Sequence, residues 1–172
     1  MKENDTTYRE EIPSGFDPMW FAGLVEVACT AGLSVGREHR GFKTYFHVNP
    51  WIKMGDNNFD RMIRLKAHAG GNASHLNKYG RGNSPYQWAA TGRYAVDLAM
   101  EVSPYAPSRA ETFTAFLNWA NTDDIEEKIV IARELHETRG GRVEVSAGDY
   151  ESLVRDNAFV AGAIDARGTI RR

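Results

Sequence analysis

The sequence has one cysteine, six prolines and no apolar run approaching the roughly 18 residues of a membrane-spanning helix. A lone Cys29 excludes an internal disulfide and a Cys-rich zinc centre, and fits a reducing compartment such as the cytoplasm or an organelle matrix. Without a long apolar run no membrane partner is expected. The N-terminal MKENDTTYREE is too acidic for a signal or transit peptide, so no targeting is expected from it. The five histidines, His39, His47, His68, His75 and His136, lack the HxxxH or HxH spacing of a zinc site. An excess of positive charge is missing too: the formal net charge is −2, which at first sight counts against a phosphate-bearing partner. What is present, 42% hydrophobic and 11% aromatic residues in a chain of 172, is enough for the core of one domain with an appendage.

The charge is unevenly distributed. Residues 1–32 carry two basic and six acidic groups, residues 33–91 nine and three, and residues 92–172 ten and fourteen, for net values of −4, +6 and −4. The basic excess lies in the central stretch, whose Arg37, Arg40, Lys43, Lys53, Lys78 and Arg81 are interleaved with Tyr45, His47 and Trp51. Cations hold phosphate and aromatic rings stack on bases, so this stretch is the candidate nucleic-acid face.

Along the chain, residues 1–15 read as an extended or disordered arm. FDPMWFAGLVEVACTAG follows as a short helix, with Asp17 at the N-cap and Pro18 at the first helical position. LSVGREHR and TYFHVNPWIKM, separated at Gly41, predict a hairpin. Its second strand puts Phe46, Val48, Ile52 and Met54 on a core face, with Tyr45, His47, Asn49, Trp51 and Lys53 opposite. NNFDRMIRLKAH predicts a helix from Asn57 to His68, apolar at Phe59, Met62 and Ile63, stopped by Gly70-Gly71. A second hairpin is expected from ASHLNKY and YQWAAT, with GRGNSP between them.

Arg93 to Val102 predicts another helix. Ser108, with Glu111 three residues on, predicts a capping box opening the next. Asp123 to Thr138 begins with acids and finishes at Arg139-Gly140-Gly141, which suits the helix dipole at both ends, and it reads as a solvated connector helix. After RVEVS, a last helix runs to about Arg167.

A repeat stands out in this order. WFAGLVEV near the start and FVAGAIDA near the end share an aromatic residue, Ala-Gly, two apolar residues and an acid. The small residues Ala22, Gly23, Ala161, Gly162 and Ala166 would let two such helices approach closely. The pattern resembles the motif of the LAGLIDADG homing endonucleases. The element order, the GG after the second helix, the TGR turn at Thr91-Gly92-Arg93 and the PY...SR step from Pro104 to Arg109 are similar to that family as well.

The resemblance covers about residues 17–172 and implies an α+β fold: an αββαββα domain with an antiparallel sheet, plus C-terminal helices. It implies a domain over 16–121, a helical connector over 122–148 and the first helix of an incomplete second unit over 149–172. It also implies paired motif helices, a sheet that saddles DNA, and divalent metal such as Mg²⁺ held by an acid at the eighth motif position.

Here the eighth positions are Ala28 and Arg167, while the acids Glu26 and Asp165 stand at the sixth, chiefly structural, position. A methyl group offers a hard cation no oxygen, and an arginine repels it. The expectation is therefore an endonuclease-like protein with no catalytic residues and no metal cofactor, retained for binding DNA or structured RNA. Two alternatives stay open: a structural subunit of a large assembly such as an organellar ribosome, with protein partners, and half of a split endonuclease. An insertion within CTAG would move the end of the first helix by a turn and could change which residue stands at the eighth position.

Overall fold

The computed structural model describes residues 11–76, 85–138 and 150–167. Helix α1 (Pro18–Val27) starts where Asp17 Oδ1 accepts from the amides of Met19 and Trp20, at 3.0 and 3.1 Å. It ends at Val27, with Ala28 as its C-cap. Strand β1 (Thr30–Arg40) begins three residues on, so CTAG holds no extra helical turn and belongs largely to the strand. Ile12 and Phe16, placed in the expected arm and just after it, pack against the core.

β1 pairs antiparallel with β2 (Lys43–Asp56) along its whole length, from Thr30 opposite Lys53 to Arg40 opposite Lys43. Gly41 takes a φ of 62° in the two-residue turn, a conformation that a side chain disfavours. β2 then pairs with β4 (Tyr86–Thr91), and β4 with β3 (Asn72–His75), all antiparallel, giving the order β1-β2-β4-β3. Alternation decides the faces. Ala31, Leu33, Val48, Ile52, Met54, Trp88 and Ala90 point into the core. Phe46 shares their parity but is 52% exposed, because this end of the hairpin runs past the core.

Helix α2 (Phe59–Ala69) is capped by Asn58, whose side-chain oxygen accepts from Asp60 N at 2.9 Å. Its buried stripe is Met62, Leu65 and Ala69, whereas Phe59 and Ile63, expected on the core side, are exposed. The stripe at i, i+3 and i+7 is the one the preceding turn aims at the sheet. The carbonyls left over at its C-terminal end are taken up by the core: Tyr94 Oη donates to Ala69 O and Trp88 Nε1 to Gly70 O, both at 2.7 Å.

Helix α3 (Gly92–Val102) buries Tyr94, Ala95, Val96, Leu98, Ala99 and Val102. The expected capping box at Ser108 does not form. Ser108 lies in a short 3₁₀ turn, and α4 (Ala110–Asn121) starts two residues later with Arg109 at its N-cap and no side-chain cap bond. Helix α5 (Ile125–Glu137) is capped by Asp124 but is more than a solvated connector. It buries Ala132 and Leu135, packing on α4 and on the β1–β2 hairpin. The final helix, α6 (Asn157–Arg167), lies against α1. RVEVS and the GRGN loop lie outside the described residues.

Candidate nucleic-acid interface

The face of the sheet opposite the core is built by the residues of the other parity. From β1 it takes Gly32, Ser34, Gly36, Glu38 and Arg40, and from β2 Lys43, Tyr45, His47, Asn49, Trp51 and Lys53. Gln87, Ala89 and Thr91 of β4 continue it. Lys43, Tyr45, His47 and Asn49 are exposed, and Trp51 and Lys53 half-buried.

Two glycines shape this face. A Cβ on Gly36 would stand 2.2 Å from His47 Nε2, and one on Gly32 would stand 3.1 Å from the Trp51 ring. The His47 and Trp51 side chains therefore lie across β1 over the backbone of their cross-strand partners. Cations sit on the aromatic rings: Lys53 Nζ is 4.7 Å from the Trp51 ring centroid and the Arg40 guanidinium 5.9 Å from that of Tyr45. Arg40 also pairs with Glu38 at 3.0 Å.

Of the residues expected to bind nucleic acid, Arg40, Lys43, Tyr45, His47, Trp51 and Lys53 thus share one face. Arg37 does not. It is opposite Phe46 in the register, on the reverse side of the hairpin. Lys78 and Arg81 lie outside the described residues.

At the motif helices, Gly23 and Gly162 face one another's helix backbone, with no room for a Cβ on either. Ala22 and Ala166 are buried, whereas Ala161 is exposed, one position off the contact. Glu26 is 6% exposed, and both its oxygens are occupied. Oε1 accepts from Ser108 N at 3.0 Å and Oε2 from Tyr150 Oη at 2.6 Å. Asp165 Oδ2 accepts from Trp20 Nε1 at 2.9 Å.

Arg109 is buried beside Glu26's helix and donates to the carbonyls of Cys29 and Val25, at 2.5 and 3.4 Å. The Ser-Arg step therefore fastens the end of α1, a role that sequence spacing did not disclose; Tyr150 was likewise missed, since nothing local ties it to Glu26. Ala28 brings no oxygen to the end of α1, and the Glu26 carboxylate oxygens are taken up by the Ser108 amide and the Tyr150 hydroxyl.

Cys29 is buried, and burial pushes its thiol from an ordinary 9.0 up to about 12, the nearby Arg109 charge offsetting only part of that rise. No helix among the described residues is long and apolar enough to cross a membrane.

The sequence matches no protein-family model and no curated protein. Solved structures do match. An archaeal intron-encoded homing endonuclease, I-Vdi141I complexed with DNA, is similar at a TM-score of 0.54 and 16% identity, over 86% of this chain and 96% of that one. The I-SmaMI LAGLIDADG homing endonuclease bound to cleaved DNA has a TM-score of 0.52 and 12% identity over 90% of this chain. The I-LtrWI LAGLIDADG homing endonuclease bound to target DNA has a TM-score of 0.50 and 13% identity over 87%. The chain spans 58% and 57% of the length of these last two. With its helix, hairpin, helix, hairpin, helix order and its four-stranded antiparallel sheet, the chain has the fold of the LAGLIDADG homing endonucleases.

Proposed function

We propose that this protein binds duplex DNA through the open face of its sheet and no longer cleaves it. The observation that carries the binding half is the face itself: Lys53 on Trp51 and Arg40 on Tyr45, with Trp51 and His47 lying over a β1 strand cleared by Gly32 and Gly36. Cations placed over rings at the surface can hold phosphate without leaving the protein, and Arg40, Lys43 and Lys53 share this face. The similar structures are DNA complexes, which favours DNA over structured RNA as the partner. Loss of cleavage is supported at the motif helices. The eighth positions are Ala28 and Arg167, and the remaining acids, Glu26 and Asp165, already serve as acceptors for Ser108, Tyr150 and Trp20.

Fluorescence anisotropy with duplex DNA at several salt concentrations tests the binding reading. Lys53→Glu should weaken binding and lower the salt slope by about one phosphate contact. Arg133→Glu, at an exposed position of helix α5, should change neither. Equal losses from both variants would mean that binding does not use this face.

A further inference from the structure

The β1–β2 hairpin outruns the sheet that it belongs to. Among the described residues β4 pairs with β2 from Trp51 to Asp56, and Lys43 to Asn49 have β1 as their one strand neighbour. Leu33 and Val48 are its last buried side chains, and beyond them every residue from Arg37 to His47 is exposed. The free ribbon extends about five residue steps past Val48, roughly 17 Å at the rise of a strand. Its tip is the two-residue turn Gly41-Phe42, closed by Arg40 opposite Lys43. Phe42 stands fully exposed there, and Val35 and Phe46 are about half exposed behind it.

Isolated apolar side chains on a surface are ordinary. A phenylalanine at the end of a stiff ribbon, with a cation on each side of the turn, is a different arrangement. Between Ser34 and His47 the ribbon carries Arg37, Arg40 and Lys43 against the single acid Glu38, which is already paired with Arg40. Its cations also occupy both faces: Arg40 and Lys43 lie on the side of the open sheet face, Arg37 on the reverse. A single strand lying on the sheet would meet one of these faces. A groove of duplex DNA has a phosphate backbone along each wall and meets both.

Resting on the DNA-binding reading, we infer that this ribbon enters a groove of duplex DNA and that Phe42 acts as a wedge, inserting into a base step and bending the duplex. Arg37, Arg40 and Lys43 hold the two flanking backbones. The phenyl ring partly unstacks the step, which is easiest at flexible pyrimidine–purine steps, and kinks it away from the inserted ring.

The test is energy transfer between dyes on the two ends of a duplex of about 30 base pairs carrying central TA steps, short against the DNA persistence length. It would be titrated with the wild type, Phe42→Ala and Phe42→Trp. Since Phe42 touches no core residue, all three should share one thermal midpoint. The wild type and Phe42→Trp should raise transfer efficiency on binding. Phe42→Ala should bind about tenfold more weakly, the loss of one stacking contact, and leave the efficiency of the free duplex unchanged.

Bending by Phe42→Ala equal to that of the wild type would overturn the wedge while leaving DNA binding by the sheet intact. Wild-type protein that binds single-stranded DNA or duplex RNA in preference to duplex DNA would overturn the wedge too. Failure of the wild type to bind any DNA would remove both the wedge and the functional reading beneath it.

Discussion

Gly23 and Gly162 are reciprocal partners. A Cβ on Gly23 would stand 2.0 Å from the Phe159 carbonyl oxygen and 2.9 Å from Ala163 N, and one on Gly162 would stand 1.8 Å from the Trp20 carbonyl oxygen and 3.1 Å from Leu24 N. With the two motif copies laid over one another, Trp20 matches Phe159 and Leu24 matches Ala163. Each glycine therefore meets the same two backbone positions of the other helix, and the sequence repeat is a spatial pseudo-symmetry. Trp20 donating to Asp165, and Tyr150 linking Glu26 to the ring of Phe159 at 6.4 Å, flank this contact on its two sides.

This contact predicts that Gly162→Ala and Gly23→Ala each destabilise the protein, because the obstacle is backbone that a rotamer change cannot clear. The expected cost is about 1–3 kcal/mol each, and Leu at either position should cost more. Urea unfolding would measure it. The double Ala variant should fall short of the sum of the two, since one separation of the helices relieves both clashes. Full additivity would mean that the two sites respond independently.

Glu26 supplies the second prediction. Glu26→Leu removes the acceptor of the Ser108 amide and of the Tyr150 hydroxyl, and the buried amide alone should cost about 1–3 kcal/mol. Glu26→Gln keeps a carbonyl oxygen for Ser108 N and offers Tyr150 an amide, so it should lose much less. The ratio of the two losses, read from denaturant midpoints, separates a structural acceptor from an idle carboxylate.

Cys29 predicts a particular alkaline behaviour. Its folded-state value of about 12 stands above the ordinary 9.0, so the folded protein holds the proton more tightly than the unfolded chain. That contribution to stability is complete below pH 9 and is lost progressively as pH rises toward 12. Cys29→Ala should flatten this part of the stability curve. At pH 8 the buried thiol of the native protein should react with iodoacetamide no faster than the protein unfolds, whereas the denatured chain should react freely.

Much of the fold was legible because its signals are local. Asp17-Pro18 announces α1, Gly70-Gly71 stops α2, and alternation along β2 separates Val48, Ile52 and Met54 from Tyr45, His47 and Trp51. The repeated Ala-Gly carried the helix pairing because close approach needs the absence of a side chain, which a sequence displays directly. The misread features depend on long-range partners. Ser108 looks like an N-cap beside Glu111, but its amide is claimed by Glu26 some 82 residues earlier, and the turn is drawn into 3₁₀ geometry. α5 looks solvated because charged residues recur along its length, yet Ala132 and Leu135 are buried and Ile129 and Ile131 pack against the core. Composition grouped Arg37 with Arg40 and Lys43, and strand parity sets it on the opposite side of the same ribbon, which leaves its expected role in binding untouched.

Binding and cutting can be read separately in one gel. Supercoiled plasmid and a labelled duplex would be incubated with excess protein in Mg²⁺ or Mn²⁺, one half run natively and the other after removal of protein. Binding without cutting gives a retarded duplex in the native lanes and full-length, supercoiled DNA after deproteination. Metal-dependent double-strand breaks that vanish in Glu26→Gln or Asp165→Asn would contradict it and make the sixth-position acids metal ligands.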